Sequence, residues 1–173
     1  MIKTTFTGVI ALFFLIACNQ EKKVSQRISG ASIKGAIPAE TIGKFSGKNA
    51  LTHVEALTAF GPRPIGSEAY QLSLQYLETK LAELGWKTMR QNFTGITPIG
   101  PQKFTNLLAR YSPESEPDWN SSTPFLLCSH LDTKLYAEFE FLGVNDSGSS
   151  TGVLVEMARV LSEQNEGAQN IEL

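Results

Sequence analysis

The chain has 173 residues, of which 42% are apolar and 18% are charged, with a formal net charge of -2. This composition is typical of one ordinary soluble domain with its own core, and it excludes a disordered, fibrous or polytopic membrane protein. Nucleic acid is not predicted as a partner, for two reasons. The net charge is slightly negative, and no stretch clusters Lys and Arg with interleaved aromatic residues.

The N-terminus has the features of an export signal. A cationic start at Met1–Lys3 precedes an apolar run, Val9–Ile16, that is too short to span a bilayer. The run ends in Leu-Ile-Ala-Cys, which resembles the lipobox of bacterial lipoproteins, where the cysteine is acylated. Residues 1–18 are therefore predicted to be a lipoprotein signal peptide with Cys18 as the lipidation site. The alternative is a buried core helix with a chance cysteine.

This interpretation predicts an exported protein held to a membrane of the bacterial cell envelope by acyl chains. Residues 19–44 are rich in Lys, Ser, Gly and Gln and keep no regular apolar period. They are predicted to form a tether between the anchor and a domain over residues 45–173.

Two helices are predicted at the start of that domain. The first begins after Gly47 and ends at Phe60–Gly61, and the second is capped by Ser67 at its start and by a left-handed Gly85 at its end. The apolar residues of the first helix, on one face, are Ala50, Leu51, Val54 and Leu57. Those of the second are Tyr70, Leu74, Leu77, Leu81 and Leu84.

Strands are predicted next. Trp86–Phe93 and Phe104–Tyr111 are expected to form a hairpin with a long loop, since Pro and Gly interrupt the chain between them. The bulky run Pro124–Cys128 predicts a strand buried on both faces of a sheet. Its last residue, Cys128, is predicted to be a buried packing thiol, with a reactive role as the alternative, and it has no disulfide partner if Cys18 is lipidated.

A loop over residues 135–150 is predicted to enter a third helix, Thr151–Ser162, with Leu154, Ala158 and Leu161 on one face. A further strand begins near Ile171. This order of elements predicts an α/β three-layer sandwich with a mixed central sheet and helices on both faces, incomplete at the C-terminus.

Candidate catalytic or metal-binding residues lie just beyond the predicted buried strand. His130 and Asp132 are two residues apart, so their side chains point the same way, at the sheet edge where α/β proteins bind ligands. A structural hydrogen bond between them is the alternative interpretation. His53, in the first helix, is predicted to be an ordinary surface or partly buried histidine.

A second candidate carboxylate, Asp146, lies in a loop of small residues that enters the third helix. On local sequence it is either a helix cap or Asx-turn residue, or a ligand. Carboxylate oxygen and imidazole nitrogen are donors that zinc prefers in a catalytic site with one open position. The pairing of the two loops favours a shared metal site.

Four spaced motifs resemble those of glutaminyl-peptide cyclotransferases, which close an N-terminal glutamine into pyroglutamate and share a fold with zinc aminopeptidases. The motifs are Phe60–Ser67, Thr97–Gly100 leading to Phe104–Leu107, Cys128–Lys134, and Gly143–Ser147 leading to Glu156–Arg159. The resemblance covers residues 45–173 and implies the zinc aminopeptidase-like (phosphorylase/hydrolase-like) fold, with zinc as cofactor and peptide or protein N-termini as substrates.

The resemblance also implies roles for single residues. Asp146 matches the aspartate that binds zinc in both groups of enzymes. His130 matches a ligand of the second zinc in the aminopeptidases, but lines the site without binding metal in the cyclases. Asp132 is then an orienting carboxylate. Lys134, which lines the site, and the Thr97–Gly100 turn favour the cyclase branch.

The chain departs from the family in two respects. Animal cyclases have a disulfide between cysteines that match Cys128 and Thr151, so none is expected here. The Glu-Glu pair that supplies the acid/base and the next zinc ligand, and the last histidine ligand, are expected beyond Leu173.

The sequence therefore predicts the N-terminal part of a zinc-dependent glutaminyl-peptide cyclotransferase. The alternatives are an exported two-zinc aminopeptidase of the same fold and a non-catalytic lipoprotein that acts as a binding module. One carboxylate and one histidine cannot fill a tetrahedral site, so this polypeptide alone is expected to bind zinc poorly and to be inactive.

Overall fold

The computed structural model describes residues 44–164 and 168–173. The lipobox, Cys18 and all of the tether except Lys44 lie outside the described residues, and the statements about them stay predictions. None of the helices in the described ranges combines the length and the apolar character needed to span a bilayer.

The described regular elements follow the predicted order. They are α1 (Gly47–Ala59), α2 (Glu68–Glu83), β1 (Trp86–Thr97), β2 (Gly100–Tyr111), β3 (Phe125–Leu126), α3 (Ser150–Ser162) and β4 (Ile171–Glu172). An irregular helical turn, Val144–Ser149, leads directly into α3, and a short 3-10 turn, Ala168–Asn170, leads into β4.

The first helix begins and packs largely as predicted. The Ser46 hydroxyl caps it by accepting a hydrogen bond from the Asn49 amide at 3.2 Å. Its buried side chains are Ala50, Val54 and Leu57. The prediction for Leu51 is wrong, since this side chain is 53% exposed. It lies one position round the helix from Ala50, outside the stripe at i, i+4 and i+7 that is buried.

Both predicted caps of α2 are confirmed. The Ser67 hydroxyl accepts a hydrogen bond from the Tyr70 amide at 3.1 Å, and Gly85 has a φ of 83°, in the left-handed region. The chain then turns directly into β1 at Trp86.

The hairpin is tighter than predicted. β1 and β2 pair antiparallel over their whole length, from Trp86 opposite Tyr111 to Thr97 opposite Gly100. The prediction of a long loop is wrong because the Thr97 hydroxyl closes a two-residue turn. It donates to the Gly100 carbonyl at 2.6 Å and accepts from the Ile99 amide at 3.3 Å.

The sheet has the order β1-β2-β4-β3. β4 is antiparallel to β2 and parallel to β3, so the predicted α/β class with a mixed sheet is confirmed. The core lies between the sheet and the helices, where Trp86 is 1% exposed and its indole N–H donates to the Ala158 carbonyl of α3 at 3.1 Å. The other buried members of this cluster are Leu81, Ala109, Leu161 and Ala168.

The prediction of a strand buried on both faces at Pro124–Cys128 is wrong. β3 comprises only two residues, and Phe125 and Leu126 are 54% and 64% exposed. Cys128 is exposed as well, and its thiol is free. Leu126 and Cys128 line a cavity of about 550 Å³ bordered by α2, β2 and α3, which the described residues leave open. Local apolar character therefore does not produce burial here.

Candidate active site

Two segments of the chain bring the candidate residues to one edge of the sheet. The first leaves β3 and carries His130 and Asp132. The second is the turn before α3, in which Asp146 keeps an extended backbone with φ -112° and ψ 94°. The peptide bond that follows Asp146 is cis.

The three side chains converge. His130 Nε2 lies 2.7 Å from Asp146 Oδ1. On the other side of the ring, His130 Nδ1 lies 3.1 Å from the Asp132 carbonyl oxygen and 3.5 Å from its Oδ1. The imidazole thus sits between two aspartates, and the Asp132 carbonyl fixes the direction of its Nδ1 edge. The side chain of Asp146 is 71% exposed, so the cluster is open to a ligand.

The alternative of Asp146 as a helix cap does not describe the structure. α3 begins at Ser150, and no side-chain hydrogen bond caps it. The carboxylate of Asp146 instead faces His130 from the other segment. The alternative of a purely local bond between His130 and Asp132 is also incomplete, because the shorter contact of the ring is with Asp146.

Hydroxyl groups, which sequence reasoning missed, join the two segments. The Ser129 hydroxyl lies 2.6 Å from the Ser150 hydroxyl and 3.2 Å from that of Thr151. The Thr151 hydroxyl donates to the His130 carbonyl at 3.1 Å. Hydrogen bonds therefore connect the segments at the position where, by resemblance, animal cyclases have a disulfide.

Arg63 is the second feature that the sequence did not reveal. Its position within the Phe60–Ser67 motif predicts no role of its own, yet the residue is 0% exposed. Its amide donates to the Thr133 hydroxyl at 2.8 Å, and the Thr133 amide donates to its carbonyl at 3.1 Å. The available signal was a single cation between two prolines in an otherwise uncharged run.

Lys134 lies two residues beyond Asp132 on the same segment and is exposed. Its amine lies 4.9 Å from the centre of the Tyr136 ring, which stacks on Phe139 at 4.5 Å. Among the described residues, no hydrogen bond or ion pair joins Lys134 to His130 or Asp146, so its role as a site-lining residue stays a prediction.

His53 has a different environment. Its Nδ1 lies 2.7 Å from the hydroxyl of Tyr76, on the neighbouring helix. Burial lowers the pKa of His53, although the charge of Glu156 acts in the opposite direction. This agrees with its prediction as a structural, partly buried histidine.

The donors at the site suit zinc in kind but not in number. His130 Nε2 and Asp146 Oδ1 are the nitrogen and oxygen donors that zinc accepts. Within residues 44–164 and 168–173, however, no group of three or more His, Cys, Asp and Glu side chains is placed to hold a metal. Beside Asp146, the buried hydroxyl of Ser147 has no hydrogen-bond partner among these residues, so the described part of the site leaves a polar group unsatisfied.

Comparison with known proteins agrees with the predicted fold. Residues 106–173 match Peptidase family M28. The structure superposes on the glutaminyl cyclase of Porphyromonas gingivalis with a TM-score of 0.63 and 30% sequence identity, over 74% of this chain and 44% of that one. The chain is similar to glutaminyl-peptide cyclotransferases in sequence and to glutaminyl cyclases in structure. Its predicted zinc aminopeptidase-like fold is thereby confirmed.

Two further relatives show the range of the similarity. The glutaminyl-peptide cyclotransferase of Drosophila melanogaster is 31% identical over 104 residues, which are 60% of this chain and 28% of that protein. A leucine aminopeptidase precursor from Bacteroides thetaiotaomicron superposes with a TM-score of 0.64 and 28% identity, over 75% of this chain and 46% of that one. The chain thus spans less than half the length of these relatives.

Proposed function

We propose that the complete protein containing this chain is a zinc-dependent glutaminyl-peptide cyclotransferase. In this reaction the α-amine of an N-terminal glutamine attacks its own γ-carboxamide carbon, the ring closes and ammonia leaves. The observation that carries the proposal is the meeting of His130 Nε2 and Asp146 Oδ1 at 2.7 Å, at the edge of a fold shared with glutaminyl cyclases.

Asp146 is the residue proposed to hold zinc. Its carboxylate is exposed and has one described partner, so an oxygen lone pair is available for a metal. When bound, zinc would act as a Lewis acid that polarises the carboxamide oxygen of the substrate. His130 is proposed to line the site. Its ring is held by the Asp132 carbonyl so that Nε2 faces the Asp146 carboxylate. Lys134 is proposed to line the same site.

The remaining ligands are proposed to come from residues that follow β4. β4 runs parallel to β3, and Leu173 exchanges backbone hydrogen bonds with Ala109 of β2 at 2.8 and 3.0 Å. A continuation in this direction would pass between β2 and β3 toward the end of the sheet at which His130 lies.

This assignment predicts the metal content of two forms of the protein. The 173-residue chain alone should bind zinc weakly, because two donors do not complete a tetrahedral site. The complete protein should bind zinc tightly. Competition with a chromogenic chelator measures both, and tight stoichiometric zinc on the short chain would contradict the ligand assignment.

The activity test compares two dipeptides. The complete protein should release ammonia from a glutamine-initiated dipeptide and should not cleave an alanine-initiated one. Asp146→Asn should lower kcat/KM about 100-fold or more, because the metal loses a charged ligand. Asp118→Asn, at an exposed aspartate in the connector after β2, is the matched control and should keep activity. Cleavage of the alanine-initiated peptide without ammonia release would instead assign an aminopeptidase.

We also propose that the protein is an exported lipoprotein anchored through Cys18. The support is the sequence alone, namely a cationic start, a short apolar run and a lipobox-like end. Labelling of the protein with radioactive palmitate should be lost in Cys18→Ser and kept in Cys128→Ser. Equal labelling of both variants would reject the anchor.

A further inference from the structure

The guanidinium of Arg63 is buried without a carboxylate to neutralise it. Arg63 is 0% exposed, and none of the described carboxylates forms an ion pair with it. All of its side-chain hydrogen bonds go to backbone carbonyls. The acceptors are Leu131 at 3.3 Å, Leu142 at 3.0 Å, Gly143 at 3.3 Å, Leu57 at 3.2 Å and Gly61 at 3.4 Å.

Three of these carbonyls lie within or directly before the two segments that form the candidate active site. Leu131 lies between His130 and Asp132, so the bond from Nε holds the first segment at its centre. Leu142 and Gly143 precede the turn that carries Asp146, and they accept from the two terminal nitrogens. One rigid, planar group therefore connects the first segment to the residues that lead into the second.

The backbone of Arg63 binds a different set of residues from its side chain. Its amide and carbonyl bond only to Thr133, on the first segment. The connection to the second segment, at Leu142 and Gly143, is made by the guanidinium alone. The side chain, rather than the backbone, thus sets the distance between the two segments on this side of the site.

The chemistry of the side chain explains why arginine occupies this position. A guanidinium presents five donors in a fixed fork on three nitrogens, whereas a lysine ammonium has three donors on one nitrogen, too few and too close together for these five carbonyls. Burial lowers the pKa of Arg63, and the nearby charge of Asp132 raises it. An arginine so placed stays protonated at any pH at which an enzyme works.

We propose that Arg63 is a positioning residue of the active site, whose guanidinium fixes the separation between His130 Nε2 and the Asp146 carboxylate. The inference about geometry stands on the contacts described here. Its kinetic consequence rests on the proposed cyclotransferase function.

The test compares two arginines in the complete protein. Arg63→Lys removes the fork at the site. Arg110→Lys is the matched control, because Arg110 is also buried, at 9% exposed, and its side chain bonds to Glu172, Asp118 and Ser121 and to no residue of the two site segments. Both variants should lose thermal stability.

Two readouts separate positioning from stability. The first is the imidazole ¹H–¹⁵N NMR spectrum, in which the signals of His130 should move in Arg63→Lys and stay in place in Arg110→Lys, with His53 as the internal reference. The second is kinetics with the glutamine-initiated dipeptide. Arg63→Lys should lower kcat about 10- to 100-fold with little change in KM, since misplaced groups slow the chemical step. Arg110→Lys should keep kcat within about threefold, because a lysine can keep the ion pair with Glu172 of β4, so the reacting groups of this variant stay in place.

A second pair of variants covers the case in which Arg63→Lys does not fold. Thr133→Val removes the acceptor of the Arg63 amide and so releases the backbone from which the guanidinium reaches Leu142 and Gly143, whereas Thr133→Ser keeps the hydroxyl. The His130 signals should move in Thr133→Val and return toward their wild-type positions in Thr133→Ser.

The outcomes are distinct. Unchanged His130 signals in a folded Arg63→Lys or in Thr133→Val, or equal changes in Arg110→Lys, would overturn the positioning role. Movement of the His130 signals together with no ammonia release by the wild-type protein would support the positioning role and reject the proposed function.

Discussion

Replacing Gly143 with alanine tests how tightly the turn before Asp146 is packed. Gly143 has a φ of 59°, in the left-handed region, where a side chain costs roughly 1–2 kcal/mol. An added Cβ would lie 2.5 Å from Thr133 Cγ2 and 2.6 Å from the Asp146 carbonyl oxygen, so both neighbours must move. Overpacking of this kind costs about 1–3 kcal/mol. The two effects together predict a loss of about 2–5 kcal/mol in the free energy of unfolding.

Gly61→Ala is the matched control for this substitution. Gly61 also has a positive φ, 91°, but nothing lies within 4 Å of the position its Cβ would take. It should therefore lose only the backbone contribution of roughly 1–2 kcal/mol. Urea denaturation followed by circular dichroism measures both variants, and a larger loss in Gly143→Ala than in Gly61→Ala reports the clash.

The substitution should also affect the site. Because one of the clashing atoms is the carbonyl oxygen of Asp146, Gly143→Ala should weaken zinc binding by the complete protein more than Gly61→Ala does. Equal losses of stability in the two variants would refute the reasoning, since the turn would then have room for a methyl group.

Three further substitutions test the surroundings of the site. Thr151→Val should lose about 1–2 kcal/mol of stability, because the His130 carbonyl loses a donor. Burial raises the pKa of Glu156, but hydrogen bonds led by those from Arg159 outweigh this effect and hold the pKa below its ordinary value. Glu156 thus stabilises the fold at pH above about 4.3 and ceases to do so as the pH falls through its lowered pKa, so Glu156→Gln should flatten the acid limb of the stability curve. Trp86→Phe should cost about 1–3 kcal/mol through its lost hydrogen bond and packing.

Denaturation at several pH values measures all three. Thr52→Val is the control for Thr151→Val, because Thr52 is exposed and its hydroxyl bonds back to the Lys48 carbonyl of its own helix. Equal losses in these two valine variants, an unchanged acid limb in Glu156→Gln, or a neutral Trp86→Phe would each contradict its own prediction.

Features set by neighbouring residues could be predicted from the sequence. The caps at Ser67 and Gly85 depend on the local backbone alone, and both were predicted correctly. Burial depends on what packs against a segment, which the local sequence does not contain. For this reason the apolar run at Phe125–Leu126 was wrongly predicted to be buried. The tight hairpin was missed because one hydroxyl, that of Thr97, determines the turn.

The candidate site was predictable in its parts but not in its assembly. The alternation of an extended chain places His130 and Asp132 on one side. Asp146 was favoured as a ligand by the pairing of its loop with that of His130 and then by the family resemblance, since its local sequence alone is equally that of a helix cap. The contribution of Arg63 had no sequence signature, because its partners are backbone carbonyls as many as 80 positions away. Every residue has a backbone carbonyl, and only the fold determines which carbonyls contact the Arg63 guanidinium.

The position of β4 imposes an order on the folding of this protein during its synthesis. β4 lies between β2 and β3 although it follows both in the chain. The hairpin β1–β2 can form as soon as it leaves the ribosome, but its inner edge stays unpaired until Ile171 and Glu172 have been translated. An open edge of this kind can pair with another nascent chain. We therefore expect the incompletely translated chain to need a chaperone until β4 has been synthesised.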